Sequence, residues 1–427
     1  MKHNIFTSLL MGLEILALLF VFAGCPSPVD SPNIPEEIPT GEIEQAADPG
    51  TGETPVDPGH GDEEPGEKPK DPPEIPAPDI TGFSFLSSNL TYQTAGAGTV
   101  AGSFSAIQGG TAPFVFTLEI EEGAAENDKF EVNGAALKIK GSGLTAGVYR
   151  AHLQVQDSKG KVFNKAVEFR VSVPSQMINM ITVPGGAYQI KESDSPSPQL
   201  VTKTVTGFKM AETETTQELW TAVMGYNPSI YINNSLGPVD HLNWYDAITF
   251  CNRLSIAMGK TPVYAIDGID FRTITYEQIP TELSTASIID LWNSVTINSA
   301  ADGYRLPGKY EWFWASMGAD SDNPGAVNET GYLKAYAGAS GTNSAGINDY
   351  AWPNITTHPV GLLLPNELGF FDMTGNAAEW FWELIDQYAS QNHYLSGFTG
   401  MYITYTSSTD GRFRTNGMNG IRLACNL

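Results

Sequence analysis

Between residues 26 and 80 the chain carries 14 prolines and 15 acidic residues against two lysines, with almost no large apolar side chain. A stretch of this kind has nothing to bury that could offset the entropy lost on ordering it. It reads as an extended acidic spacer, rising at most roughly 3 Å per residue and so spanning up to ~150 Å. Folded structure is therefore expected after it, and a total of 427 residues leaves room for two folded units. About half of the net charge of −25 lies in this spacer. An excess of that sign argues against nucleic-acid partners and against a basic face for anionic lipid.

The residues ahead of the spacer read as an address. Met1-Lys2-His3 gives a charged start, and Ile15 to Phe22 is an apolar run too short to span a bilayer as a stable helix. Phe22-Ala23-Gly24-Cys25 resembles a lipobox, although Glu14 interrupts the apolar run and Phe22 stands where Leu is commoner. The resemblance implies a signal peptide over 1–25, acylation of Cys25, and a lipid-anchored protein of the cell envelope facing outward. The alternative is plain secretion after cleavage near Gly24. Both export the chain.

Residues 81–174 predict a small all-β unit. Phe114, Phe116, Leu118 and Ile120 alternate with other residues, as do Tyr149, Ala151, Leu153 and Val155, and then Val167, Phe169, Val171 and Val173. Period 2 puts each set on one buried face of a strand. Asn133-Gly134 and Asp157-Ser158-Lys159-Gly160 supply turns between them. Short strands at this spacing predict a β-sandwich, similar to the immunoglobulin- or cadherin-like modules of bacterial surface proteins, acting as a stalk.

From residue 177 to 427 the chain carries an ordered series of motifs. They begin with Val183-Pro184-Gly185-Gly186, Glu214-Thr215-Thr216-Gln217-Glu218-Leu219-Trp220, Met224-Gly225-Tyr226-Asn227-Pro228-Ser229 and Trp244-Tyr245-Asp246-Ala247. Gly303-Tyr304-Arg305-Leu306-Pro307, Glu311-Trp312, His358-Pro359-Val360-Gly361, Pro365-Asn366-Glu367-Leu368-Gly369, Asp372-Met373-Thr374-Gly375-Asn376, Glu379-Trp380 and Gly420-Ile421-Arg422 follow. Physically most of these are scaffold. Ala247, Phe250, Cys251 and Leu254 have the spacing of one helix face, and Trp312, Phe313 and Trp314 fall in a second helical stretch over 310–317.

Taken together the motifs resemble the formylglycine-generating enzyme (sulfatase-modifying factor) family, which implies an α+β, C-type-lectin-like domain over 177–427. Several site expectations come with that resemblance. The family's calcium site matches Asp372 and Glu379 by side chain and Gly375 and Ala377 by backbone carbonyl, with oxygen donors that suit that ion. Cys251 and Cys425 fall at or near positions of a family disulfide, Cys425 displaced by two residues along a strand. The family's copper-binding cysteine pair has no counterpart, because residues 394–420 contain no cysteine. Copper is therefore not expected, and neither is the family's oxidase chemistry, which needs a thiolate. No zincin-type histidine pair, Gly-x-Ser-x-Gly elbow or phosphate-binding glycine loop is present. Carboxylate pairs such as Glu212/Glu214 and Glu379/Glu383 read as surface charge.

The stretch Asn392–Asn419 is rich in Asn, His, Tyr, Ser, Thr, Gly, Phe and Arg and lacks Lys and Glu. Adaptable paratopes favour a similar set, because it gives contact area and hydrogen bonds at low entropic cost. This combination resembles the variable proteins of diversity-generating retroelements, which use the same lectin-like fold. The expectation is a ligand-binding face made by Trp382, Asn392, His393, Tyr394, Phe398, Tyr402, Tyr405, Arg412, Arg414 and Asn416, contacting an external protein or glycan. The alternative is an envelope enzyme or enzyme accessory.

Overall fold

The computed structural model of the chain describes residues 76–119, 126–191, 200–319, 336–339, 345–352, 356–384, 392–396, 406–410 and 417–427. Residues 1–75, on which the expected leader, Cys25 and most of the expected spacer fall, lie outside these residues.

Alternating apolar residues build the first part. Strands β1 (Gly82–Ser87), β2 (Leu90–Thr91), β3 (Val100–Gln108), β4 (Val115–Leu118), β5 (Phe130–Asn133), β6 (Ala136–Ile139), β7 (Gly147–Gln156) and β8 (Val162–Ser172) form two four-stranded sheets, ordered β1-β3-β6-β5 and β2-β8-β7-β4. Each of the expected inward residues of β7 and β8 is buried: Tyr149, Ala151, Leu153 and Val155 on one, Val167, Phe169 and Val171 on the other. They share one core with Phe83, Phe104, Phe130 and Leu137 of the facing sheet. The Asp157 turn is held by its own side chain, whose Oδ1 accepts from Lys159 N at 2.9 Å and Lys161 N at 2.8 Å.

The second part is a mixed fold with few helices. Strands β9 (Met180–Val183), β12 (Phe208–Ala211) and β19 (Ala424–Asn426) make a three-stranded antiparallel sheet, ordered β19-β12-β9, so residues 424–426 pair beside the first strands of this part. Strands β10 (Gly186–Lys191) and β11 (Leu200–Val205) form a ribbon, and β13 (Tyr264–Ala265) pairs with β14 (Thr296–Ile297). Four helices accompany them: α1 (Gln217–Met224), α2 (Trp244–Ala257), α3 (Ala286–Asn293) and α4 (Lys309–Ser316). A fourth sheet, ordered β17-β16-β15-β18, joins β15 (Ala378–Leu384), β16 (Asn392–Ser396), β17 (Thr406–Asp410) and β18 (Asn419–Gly420).

Local chemistry sets the helix ends. Asn243 and Asp246 cap α2 reciprocally, at 2.8 and 3.0 Å. Thr216 caps α1, and Gly225, at φ +82°, ends it in the left-handed conformation that glycine tolerates. The face Ala247, Phe250, Cys251 and Leu254 is wholly buried, as are Trp312, Phe313 and Trp314 of α4. Strand β15 runs between two cores, with Trp380 in one and Phe381 in the other.

The sheet unit packs against the second part rather than hanging free as a stalk. Ala146 N donates to Ala222 O at 2.7 Å, Tyr92 donates to Glu218 Oε1 at 2.5 Å, and Ala146 and Val173 lie in the core that contains α1 and α2. No helix among the described residues is long and apolar enough to cross a membrane.

The expected disulfide is not formed: Cys251 and Cys425 are both free and buried. The two-residue displacement explains this. It keeps the side chain on the same face of the strand but moves it by about 6.6 Å, comparable with the whole Cα–Cα span a disulfide tolerates. Burial pushes both thiols up from their ordinary range. Under non-reducing denaturation, thiol titration of the full chain should find Cys251 and Cys425 both reactive, and native protein should react at neither. A cross-linked peptide pair would contradict the unbonded arrangement.

Candidate ligand-binding face

Four ionisable side chains are buried together beneath the sheet that carries β15. Arg422 and Glu379 form an ion pair with Nε at 2.9 Å from Oε1 and Nη2 at 2.8 Å, and both are 0–1% exposed. Trp312 Nε1 also donates to Glu379, and the remaining guanidinium donors reach the carbonyls of Ala211, Glu212 and Phe371. Glu214 accepts from Asn376 Nδ2 at 2.7 Å and from Ala377 N at 2.8 Å. Asp372 accepts from Trp352 Nε1 at 3.0 Å and Gly361 N at 2.7 Å. Glu214 and Glu379 are thus core groups, correcting their reading as surface charge. Sequence spacing gave no sign of their depth.

Asp372 and Glu379, the two carboxylates matched to a calcium site, both lie in this buried cluster. Of the four matched positions, Asp372 and Glu379 have their carboxylate oxygens taken by N–H donors, one of them a guanidinium that repels a cation. Gly375 packs against the backbone of Trp352 and Ala377 N donates to Glu214, and neither contact engages the carbonyl oxygen matched to calcium. No group of three or more metal-ligating side chains occurs among the described residues.

At the end of β15 the two cores part and leave a half-open cavity of about 360 Å³. Trp382 and Glu383 from β15, Arg305, Tyr310 and Glu311 from the α4 region, and Asn426 from β19 line it. Trp382 is half-buried, stacked on Tyr264 at 5.1 Å and tilted against Trp244 at 5.3 Å. Arg305 and Glu311 neutralise each other through two bonds of 2.6 and 2.8 Å, and Arg305 Nε adds a bond to Asn426 at 3.2 Å. Glu383 Oε2 accepts from Lys309 N at 2.7 Å, and burial raises the pKa of this carboxyl. The lining is therefore one aromatic wall facing a polar wall in which Arg305 and Glu311 pair and Glu383 adds a second carboxyl, a mixture suited to a polar ligand.

The structure brings only part of the expected face together. Asn392, His393 and Tyr394 lie on β16, whose His393 pairs with Leu384 of β15, the strand that carries Trp382. Phe398, Tyr402, Tyr405, Arg412, Arg414 and Asn416 lie outside the described residues. Sequence reasoning missed Arg305, Glu311 and Glu383 as cavity walls. Their signal was the motif pair Arg305-Leu306-Pro307 and Glu311-Trp312, read only as scaffold.

With this geometry in view, the comparisons with known proteins place the chain. It belongs to the family defined by the sulfatase-modifying factor enzyme 1-like domain, which matches residues 168–424. Among individual proteins, it is 34% identical over 219 residues to the chaperone protein LppX of Paenibacillus barcinonensis, covering 48% of this chain and 71% of that one. Among solved structures, Treponema denticola variable protein 1 aligns with a TM-score of 0.48 at 27% identity, over 61% of this chain and 96% of that one. CarF aligns with a TM-score of 0.43 at 23% identity, over 58% and 98%.

The buried cluster carries a pH signature. Burial, then the charges of Asp372 and Glu379, hold the Glu214 carboxyl well above the ordinary range, and burial raises Asp372. A raised acid binds its proton more tightly when folded. Its contribution is therefore complete below the ordinary carboxylate range and is lost as pH rises toward the folded value. The melting temperature should fall as pH rises from about 5. Glu214→Gln should lower stability by about 1–3 kcal/mol through a mismatched hydrogen bond while flattening that slope. An unchanged slope in the variant would place the titration elsewhere.

Proposed function

We propose that this protein is an envelope lipoprotein, anchored through Cys25, whose C-terminal domain binds an external protein or glycan at the face beside β15. The observation that carries the reading is the cavity walled by Trp382, with β16 and its His393 and Tyr394 one strand away. A partly buried tryptophan beside the Arg305–Glu311 pair and Glu383 provides apolar contact together with fixed hydrogen-bonding partners. The adjoining segment up to Asn419 has the residue types of adaptable binding surfaces. Its resemblance to retroelement-diversified variable proteins belongs to the same proposal. Burial raises both cysteines of the domain, which disfavours the thiolate that the family's oxidase chemistry needs.

A second reading is favoured by one observation. The relative at 34% identity is called a chaperone. In that reading the same face holds an exported client protein, and the chain is an accessory to other envelope proteins.

Screening the full-length Cys25→Ala chain against glycan arrays and envelope protein fractions should yield a partner. Trp382→Ala, Tyr394→Ala, Phe398→Ala, Arg412→Ala and Arg414→Ala should each weaken its capture by at least tenfold, with the melting temperature nearly unchanged except at half-buried Trp382. If binding survives all five, the site lies elsewhere. Capture of unfolded envelope enzymes, with improved recovery of their activity, selects the accessory reading. Conversion of a sulfatase peptide's cysteine to formylglycine, with copper and oxygen supplied, would overturn both. Wild-type chain should carry acyl label and sediment with membranes, and Cys25→Ala should do neither.

A further inference from the structure

A second cavity, of about 200 Å³, lies where the β7–β8 sheet meets α2. Glu126, Lys129 and Tyr149 line it from the sheet unit, and Val223, Arg253 and Arg272 from the other side. Its charges are unequally matched. Lys129 is paired with Glu126 at 3.0 Å, and Arg272 with Asp270 at 2.7 Å. Among the described residues Arg253 has no carboxylate partner: Nε donates to Phe271 O at 2.9 Å, Nη2 donates to Ile274 O, and Nη1 meets Met224 Sδ at 4.0 Å.

The imbalance extends around the cavity. Arg150 pairs with Glu168 at 3.1 Å on the same sheet, and the guanidinium of Arg170 lies against Gly259, whose Cβ would stand 2.2 Å from its Nη1. Among the described residues the lining thus holds three cations (Lys129, Arg253 and Arg272) with one carboxylate (Glu126), and Asp270 pairs with Arg272 beside it. The whole chain has 48 acidic residues against 23 basic ones, so a local positive excess runs against its composition. Burial disfavours the charged form of Arg253, and leaving a guanidinium charge largely desolvated without a counter-ion is costly.

We propose that this cavity binds a small inorganic oxyanion of the phosphate or sulfate class, with Arg253 Nη1 as its principal donor and Lys129 and Arg272 at its rim. A cavity of about 200 Å³ holds such an ion with a few waters. A guanidinium edge suits an oxyanion, offering parallel N–H donors. The ion would bridge residues of the two packed units and so favour their docked arrangement. The site is independent of the face beside β15.

The test uses the full-length Cys25→Ala chain, melted in sodium phosphate, sodium sulfate, sodium acetate or sodium chloride at matched ionic strength. Phosphate or sulfate should give a saturable rise of about 2–4 °C over chloride at near-full occupancy. Arg253→Gln should abolish that rise. Because Arg253 also holds the carbonyls of Phe271 and Ile274, that variant can lose stability outright. Lys129→Gln and Arg272→Gln, at more exposed positions, should each shift half-saturation at least threefold to higher anion concentration. A rise with acetate alone, or an undiminished rise in all three variants, would overturn the proposal, as would no rise in wild type.

Discussion

The buried pair of Arg422 and Glu379 is the contact on which the C-terminal domain depends. Arg422 follows β18, and Glu379 stands in β15. Through Trp312 the pair reaches α4, and through the carbonyls of Ala211 and Glu212 it reaches the end of β12. Elements far apart in sequence are thus held at one point with almost no exposure. Removing one partner from such a pair leaves an uncompensated charge in the core. Strand β15 then continues outward to Trp382 and Glu383, so the wall of the cavity is fixed from its buried end.

Charge is handled differently at each depth. Around Arg422, three carboxylates face one guanidinium, and burial with the neighbouring charges makes Glu214 a weaker acid. At the mouth of the β15 cavity, Arg305 and Glu311 balance one another. At the junction with the sheet unit the sign is reversed, and among the described residues Arg253 has no carboxylate partner in a strongly acidic chain. The acidic spacer and the sheet unit precede a domain whose polar chemistry is mostly internal.

Much of the fold was legible in the sequence because burial imposes a period. The alternation in β7 and β8 and the apolar face of α2 appear where the periodicities put them, and the turn residues Asn133-Gly134 and Asp157 act as turns. The ordered motifs named the family correctly. The site was less legible. Periodicity cannot tell a surface glutamate from a buried one, so Glu214 and Glu379 were misread. Family positions gave the place of Asp372 and Glu379 but not their partners, because Arg422 and Trp352 come from distant parts of the chain. The Cys251–Cys425 pairing failed because matching the face of a strand does not fix the distance along it.

A double-mutant cycle on Glu379 and Arg422 tests the central claim most directly. Denaturant unfolding of Glu379→Gln, Arg422→Met and the double variant should show each single change costing about 3–5 kcal/mol. The double variant should cost less than their sum by about 2–3 kcal/mol. Single changes that cost little and add independently would contradict the claim that this pair holds β15, α4 and the chain terminus together.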